Sequence, residues 1–270
     1  MLLSSMQLQQ AKSFIFERGR LLERNLYLHF FEGGSLEACQ GALHVYQNPD
    51  GGFGNGLEPD LLCPDSTAIG AETALYVCDV LGYHDETVMA RLTSWLVANQ
   101  NEQGFIEHPP ERLANYPHQP WWENPDDERA LVLAGLLKRR GIVLPDFFAG
   151  VRRYYCASEF RPRLSFYSYP CFVYLMYCSE GQEDQERLSC MMEQVPAFLD
   201  VQRAHFPLFS RYWFYVAELC EAEIVQREAA RFVAALQDDG GIENPYPDLP
   251  WWRPIFTLDG LILMKKYGLI

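Results

Sequence analysis

Apolar residues recur every three or four positions along most of this chain, which is the spacing of one face of an α-helix. Alternation with a period of two, the mark of a half-buried strand, is confined to short runs. The pattern predicts an all-α protein of about ten to twelve helices in antiparallel pairs, joined by loops that are alternately short and long. Five of the helical runs lie in the middle of the chain, at about 145–160, 168–180, 187–201, 210–220 and 223–236.

A short motif occurs three times, each time at the end of a helical run. It reads QNPDGGFGNG from Gln47, QNEQGF from Gln100 and QDDGGI from Gln237, and each copy precedes a second apolar run that ends near a glycine. The repeated unit is therefore helix, glutamine turn, long loop, helix. Between 142 and 236 the motif fades to a degenerate copy that starts at Gln202.

Repeated helix pairs predict a particular architecture. Pairs that each bury one face are stable only when they stack, and about six pairs that close on themselves form a ring with an inner and an outer layer. We therefore predict a single domain over residues 1–270, built as an α/α toroid with its long loops at one end. The mouth of such a barrel is where a small ligand fits best.

Composition narrows the class of protein. With 270 residues, 49% of them hydrophobic, the chain can bury a core without metals or disulfides. The formal net charge of -14 argues against a nucleic-acid partner. We expect no membrane span and a cytoplasmic location, because no run approaches about 20 apolar residues and the N-terminus lacks a signal-peptide pattern. The eight cysteines have neither CxxC nor zinc spacing and are interpreted as free thiols.

Glutamine followed by Asp-Gly-Gly-Phe or a close variant, repeated between helices, resembles the repeat of terpenoid cyclases and protein prenyltransferase beta subunits. The resemblance covers residues 36–82, 86–141 and 223–268, and it implies the toroid and an apolar or isoprenoid substrate. The catalytic motifs of these families do not transfer. DxDD is missing, Asp126-Asp127 does not continue as DDxxD, and Asp-x-Cys is replaced by the reversed string Cys63-Pro64-Asp65. We therefore expect no metal and no cofactor.

Carboxylates near the glycine turns are the candidate catalytic residues. Glu58, Asp60 and Asp65 fall within eight residues among leucines, where burial shifts the pKa of an acid. A glutamate closely follows the turn in each copy, as Glu58, Glu107 and Glu243. Two carboxyls in one pocket separate in pKa, so that one donates a proton and the other accepts it. Alternatively, each glutamate accepts hydrogen bonds from backbone amides of its own loop, and Asp65 caps the next helix.

The turn residues themselves have a sufficient structural role. Gly51, Gly52 and Gly54 permit a turn with positive φ, and Asp50 can bond loop amides. Gln47 is expected to satisfy backbone groups at a helix end.

Aromatic residues near the loop ends are the candidate substrate-binding groups. Aromatic faces stabilise cations, stack on sugar rings and line apolar clefts, and they also pack cores. Since adjacent tryptophans cannot both face inward from a regular helix, one of each pair is expected at the mouth or a loop contact. The candidates are Tyr116, Trp121, Trp122, Tyr167, Tyr212, Trp251 and Trp252. Arg161, Arg163 and Arg211 are candidates to meet an anion or to pair with the acids.

Three functions stay open at this point. The leading one is an enzyme that uses loop carboxylates for acid/base chemistry on an apolar small molecule in an aromatic-lined cavity. The second is a non-catalytic toroid that binds or scaffolds, which the missing motifs favour. The third is a carbohydrate-active hydrolase or lyase, which needs two carboxyls about 5–9 Å apart. The expected partner is a small-molecule ligand, most simply an apolar one, and the oligomeric state is open.

Overall fold

The computed structural model describes residues 2–159, 163–201, 207–244 and 246–270, so that Arg161 and Gln202 lie outside the described residues. The described part is helical and contains no assigned strand, which confirms the predicted all-α class. Its α-helices are α1 (Ser5–Arg18), α2 (Leu21–Glu32), α3 (Leu36–His44), α4 (Ala68–Val80), α5 (Glu86–Asn99), α6 (Arg129–Arg139), α7 (Pro145–Ala157), α8 (Tyr169–Cys178), α9 (Gln182–Val201), α10 (Ala222–Ala234) and α11 (Trp252–Lys266).

Several helices begin at side chains that satisfy their first amides. Ser4 and Gln7 form a capping box at the start of α1. Thr67 accepts from the amide of Gly70 at 3.1 Å before α4, and Asp85 accepts from two amides of α5 at 2.8 and 3.0 Å. Because these residues are good N-caps, the helix starts follow from local sequence.

The helices are of two kinds. In α4, α6, α8 and α11 most residues are buried on every face, which explains why their sequences are almost continuously apolar. In α5, α7 and α10 the buried residues follow helical spacing along one face, as with Val225, Ala229 and Phe232. The sequence pattern therefore separates helices that are enclosed from helices that have a solvent face.

By internal contacts the chain forms two compact units. Unit 1 consists of Met1–Leu43 and Val195–Ile270, and unit 2 of His44–Gln194. Unit 2 contains the first two glutamine turns and helices α4 to α8, and unit 1 contains the third turn with α1, α2, α10 and α11. The prediction of one domain stays a prediction.

The three glutamine turns share one hydrogen-bond pattern. In each, a residue bonds the carbonyl four positions later at 2.8 Å, and these residues are Asn48, Asn101 and Gln237. An isolated bridge starts one position earlier, at Gln47, Gln100 and Leu236. The third copy is therefore offset by one residue from the alignment that its glutamine suggested, and Leu236 occupies the place of Gln47.

Glutamine ties the first turn to α5 and the second turn to α7, in each case the second α-helix after the turn. The Gln47 side-chain amide donates to the carbonyls of Gly51 at 3.0 Å and Val88 at 3.2 Å. The Gln100 amide donates in the same way to Gly104 at 2.9 Å and Phe147 at 3.0 Å. The predicted structural role of Gln47 is thus confirmed, and it is shared by Gln100.

Glycine is required at one place in each turn. Gly51, Gly104 and Gly240 have φ values of 98°, 104° and 86°, which side-chain-bearing residues rarely adopt. A Cβ atom at each would overlap the backbone of another helix, at Arg91 in α5, Gly150 in α7 and Gln10 in α1 respectively. The turns therefore combine an unusual backbone conformation with close packing.

Candidate functional site

Glu58 and Asp60 are buried in the loop that follows the first turn. Glu58 is 2% exposed and Asp60 is 4% exposed. The Thr73 hydroxyl of α4 donates to the Glu58 carboxylate, and the indole N–H of Trp122 donates to Asp60 Oδ1 at 2.9 Å. Buried carboxylates need such partners, because an unpaired one is costly.

Backbone pairing explains why this loop folds inward. The Asp60 carbonyl accepts from the amide of Gln119 at 3.0 Å, and the amide of Leu62 donates to the Pro117 carbonyl at 3.0 Å. Between them, Leu61 and His118 form an isolated antiparallel bridge. The first loop is thereby fixed against the second, and Asp60 is brought to Trp122.

A buried arginine at the start of α6 connects three helices and a loop. Arg129, whose side chain is 9% exposed, donates to Glu72 of α4 at 2.5 Å. It also binds both carboxylate oxygens of Asp126, at 2.9 and 3.1 Å, and donates to the hydroxyl of Tyr169 on α8. One guanidinium is therefore shared between two carboxyl groups and a phenol.

Burial is the main influence on the pKa of Glu72. Burial raises its pKa, and the opposing charge and hydrogen bond of Arg129 do not cancel the effect. The negative charge of Asp126, which binds the same guanidinium through two nitrogens, adds to the effect of burial by disfavouring ionisation of Glu72. The pKa of Tyr169 is raised well above its usual value, first by burial. Both are acids that hold their protons unusually tightly.

His108 lies on the other side of Trp122. Its Nε2 is 2.9 Å from the Trp122 carbonyl, and because a carbonyl only accepts, this nitrogen carries the proton. Burial lowers the pKa of His108, although the charge of Asp126 opposes this. The imidazole is therefore neutral at pH 7.

These groups form what we call the polar cluster of unit 2. Glu58, Asp60 and Trp122 were expected at a site, whereas Glu72, Arg129 and Tyr169 were missed. A signal existed, because Glu72 is a charged residue inside the apolar run AIGAETALYV, and Arg129 directly precedes the apolar run ALVLAGLL. The polar cluster comprises Glu58, Asp60, Glu72, Thr73, His108, Trp122, Asp126, Arg129 and Tyr169.

Asp65 lies elsewhere in unit 2. It forms an ion pair with Arg112, and the hydrogen bond from that guanidinium is the main reason its pKa is lowered. The two residues border an open cleft of about 550 Å³ that also includes Asn48 and Ser66. The alternative reading of Asp65 as a helix cap is wrong, because the N-cap of α4 is Thr67.

The three glutamates after the turns are not equivalent. Glu107 follows the bridge residue Ile106 as Glu243 follows Ile242, and in the first copy Gly54 occupies that place. Glu107 is exposed and accepts from the Asn101 side-chain amide of its own loop at 2.6 Å, whereas the alternative predicted backbone amides as donors. Glu243 is exposed in unit 1. Glu58 alone of the three belongs to the polar cluster.

The tryptophan pairs each have one buried and one exposed member. Trp122 and Trp252 are buried, while Trp121 and Trp251 are exposed. In unit 1, Trp252 stacks on Phe256 with ring centroids 5.2 Å apart. The ring of the half-buried Tyr212 also lies 6.1 Å from that of Trp252. Trp252 therefore packs a core, whereas Trp122 supplies a hydrogen bond to an acid.

Of the two tyrosine candidates in unit 2, Tyr167 has a link to the polar cluster. Its side chain is 65% exposed, yet its pKa is raised, first by burial around the hydroxyl, with Arg129 lowering it and Asp60 raising it. Tyr116 is partly buried, and its carbonyl is 2.7 Å from His118 Nδ1. Tyr167 is thus the candidate substrate contact whose hydroxyl lies within the electrostatic reach of the buried acids.

The candidate arginines have different surroundings. Arg211 of unit 1 is buried and binds Asp259 of α11 through its Nε at 2.9 Å. Asp259 is not one of the candidate loop acids. Arg163 is exposed.

Two negative findings concern the described residues. Among them, no group of three or more His, Cys, Asp or Glu side chains is arranged to hold a metal ion. None of the helices in the same stretches is long and apolar enough to span a bilayer.

Comparisons with known proteins gave no match. Neither the family models nor the curated proteins nor the solved structures contain a significant relative of this chain. The geometry of the polar cluster is therefore the basis for inferring a function.

Proposed function

We propose that this protein is an acid/base enzyme that transfers protons to and from a small apolar molecule at the polar cluster. The observation that carries the proposal is Glu72, a buried acid whose pKa is raised while it shares one guanidinium with Asp126. A carboxyl of this kind retains its proton closer to neutral pH and can donate it, which is how buried glutamates serve as general acids.

Each residue of the cluster has a role in this proposal. Glu72 gives its proton to the substrate, and Arg129 stabilises the carboxylate that remains. Tyr169 bonds both groups, its hydroxyl lying 3.4 Å from Glu72 Oε2, and holds the acid in position. The loop carboxylates Glu58 and Asp60 are the proposed proton acceptors. The exposed face of Tyr167 is the proposed contact for an apolar or isoprenoid substrate.

The α/α toroid belongs to the same proposal. It is supported by the two kinds of helix, enclosed and one-sided. A second support comes from the turns, because Gly51 packs on α5, Gly104 on α7 and Gly240 on α1. Each of these is a one-sided helix, and α1 is the one that would follow α11 if the helix pairs closed into a ring.

The experiment is a proton-exchange assay that needs no known product. The protein is incubated in D2O with a panel of neutral alkenes and prenyl alcohols, and deuterium in the recovered compounds is measured by mass spectrometry. We expect incorporation into one class of compound, and Glu72→Gln to reduce it about 100-fold or more. Glu243→Gln is the matched control, since it makes the same chemical change at an exposed residue of unit 1.

The result can refute the proposal in two ways. Incorporation at equal rates in wild type and Glu72→Gln removes Glu72 from the chemistry. No incorporation into any compound of the panel, in a folded wild-type protein, argues against proton transfer to apolar substrates.

A second function is favoured by one observation. Glu58, Asp60 and Glu72 each have a partner on a different segment of unit 2, respectively Thr73, Trp122 and Arg129. Such bonds could serve to fix the loops and helices of a non-catalytic binding or scaffold protein. In that case Glu72→Gln changes the free energy of unfolding, and wild type shows no exchange.

A further inference from the structure

The open cleft beside Asp65, which we call the loop cleft, is formed by residues outside the polar cluster. Its volume is about 550 Å³, within the range of about 300–1,000 Å³ that small-molecule sites occupy. The lining comes from the segments 48–50, 64–66 and 110–112 and from Trp95 and Asn99 of α5. All of these residues belong to unit 2.

Hydrogen bonds between the loops hold the walls of the loop cleft in place. The Asn48 side-chain amide donates to the Ser66 hydroxyl at 2.9 Å, and that hydroxyl donates to Asp50 Oδ1 at 2.8 Å. The ion pair of Arg112 with Asp65 joins the second loop to the first. The cleft is therefore pre-formed, which reduces the entropy lost when a ligand binds.

Trp95 supplies the loop cleft with a hydrogen-bond donor. The residue is only 5% exposed, yet its indole N–H donates to no described residue. This N–H is not enclosed either, because the enclosed and unpartnered side-chain atoms of the described residues are Arg24 Nε, Arg140 Nε and Tyr267 Oη. A buried indole usually has a hydrogen-bond partner. Since Trp95 lines the cleft, its donor is available to a molecule bound there.

The same lining offers acceptors and a second donor. Asp50 Oδ1 accepts two hydrogen bonds from the first loop, whereas its Oδ2 accepts none from the described residues. Glu111 is exposed and has no hydrogen bond or ion pair within the described part of the chain. Arg112 binds Asp65 through Nε and Nη2, which leaves Nη1 for a ligand. A hydroxyl group both donates and accepts, so a ligand rich in hydroxyls matches this mixture.

Two other classes of ligand fit the loop cleft less well. Pro49, Pro64 and Pro110 lack an N–H, so they cannot donate to the backbone ladder by which an extended peptide pairs with a protein. A simple cation would satisfy the carboxylates, but it would leave the donors of Trp95 and Arg112 without an acceptor.

We infer that the loop cleft binds a neutral saccharide. Its hydroxyl groups donate to Asp50 and Glu111 and accept from the Trp95 indole and Arg112. This inference goes beyond the proposed function, because the site is built from other residues than the polar cluster and requires no proton transfer. The site binds the saccharide and cleaves no bond in it.

The test observes Trp95 directly by nuclear magnetic resonance. In protein labelled with 15N-tryptophan, each of the six tryptophans gives one indole N–H signal, and the signal missing in Trp95→Phe identifies Trp95. Maltotriose, cellotriose and triacetylchitotriose are titrated separately. We expect at least one of them to shift the Trp95 signal saturably, while the signals of the exposed Trp121 and Trp251 stay in place.

A matched pair of variants tests the site without removing Trp95. Glu111→Gln should weaken binding about fivefold, because a neutral acceptor replaces a charged one. Glu102→Gln makes the same change at an exposed residue outside the cleft lining and should leave the affinity unchanged. The inference is overturned if none of the three saccharides shifts the Trp95 signal, or if the two variants weaken binding equally. It is also overturned if trialanine or spermidine shifts that signal as strongly as the best saccharide.

Discussion

Replacing Arg129 with methionine tests the polar cluster most directly. The guanidinium of Arg129 is nearly enclosed and binds Glu72, Asp126 and Tyr169. Methionine fills similar space but removes the charge and every one of these hydrogen bonds. Breaking a buried ion pair from one side costs about 3–5 kcal/mol, because the remaining charge is left without compensation. We expect a loss of that size in the free energy of unfolding at pH 8.

The loss should depend on pH, and its sign follows from Glu72. In the wild-type protein Arg129 opposes the effect of burial on Glu72, so removing Arg129 raises the pKa of Glu72 further. A carboxyl whose pKa is raised in the folded state stabilises that state fully at pH values below its pKa in the unfolded chain. This stabilisation is lost as the pH rises through the pKa of the folded state. In Arg129→Met the unfolding free energy should therefore fall by about 1.4 kcal/mol per pH unit over a wider range than in wild type.

Urea unfolding between pH 5 and 8 measures this effect, with tryptophan fluorescence as the signal. The control is Glu72→Gln combined with Arg129→Met, in which the titrating acid is gone and the excess pH dependence should vanish. The reasoning is refuted if Arg129→Met destabilises the protein equally at every pH. It is also refuted if the double variant keeps the pH dependence of the single one.

Two further predictions concern stability. Gly104→Ala should lower the free energy of unfolding by about 3–5 kcal/mol, because Gly104 has a positive φ and an added Cβ would overlap Gly150. Gly82 also has a positive φ but no neighbour within 4 Å of an added Cβ, so Gly82→Ala should lower it by only about 1 kcal/mol. Similar thermal unfolding of the two variants would contradict the packing argument. Burial raises the pKa of Glu23. The opposite effect is larger and comes from the charges of Arg20 and Arg211 and from the hydrogen bonds of Arg20, so the pKa is lowered overall from 4.5. A carboxyl with a depressed pKa contributes stability above its unfolded pKa and loses it in acid, so Glu23→Gln should cost about 3 kcal/mol at pH 7 and progressively less below about pH 4.5, as measured by urea unfolding.

The sequence by itself determined the helical class and the turns. Helical spacing of apolar residues is a local property, so it identified the chain as helical without any knowledge of the packing. The glutamine turns were equally local, since Gln47 and Gln100 bond carbonyls four residues away. The burial of Glu58 and Asp60 was foreshadowed by the leucines beside them.

The third copy of the repeat shows where local pattern misleads. Gln237 matches Gln47 in letters, but the bridge places Leu236 at that position. The bridges also show that Glu107 and Glu243 occupy equivalent positions, directly after a bridge residue, and that Glu58 does not. The reason is that the hydrogen-bond register of a turn depends on backbone geometry and not on the identity of one residue.

Tertiary structure alone decided which side chains meet. Glu72 and Arg129 are 57 residues apart, and Asp60 and Trp122 are 62 apart. Periodicity shows that a helix buries its faces, but it does not specify which neighbour supplies a counter-charge. That choice depends on the packing of α4, α6 and α8, and on the loop pairing that turns Asp60 inward. The acid with the raised pKa was therefore hidden in an apolar run, because its pKa is raised by burial that only the packed structure produces.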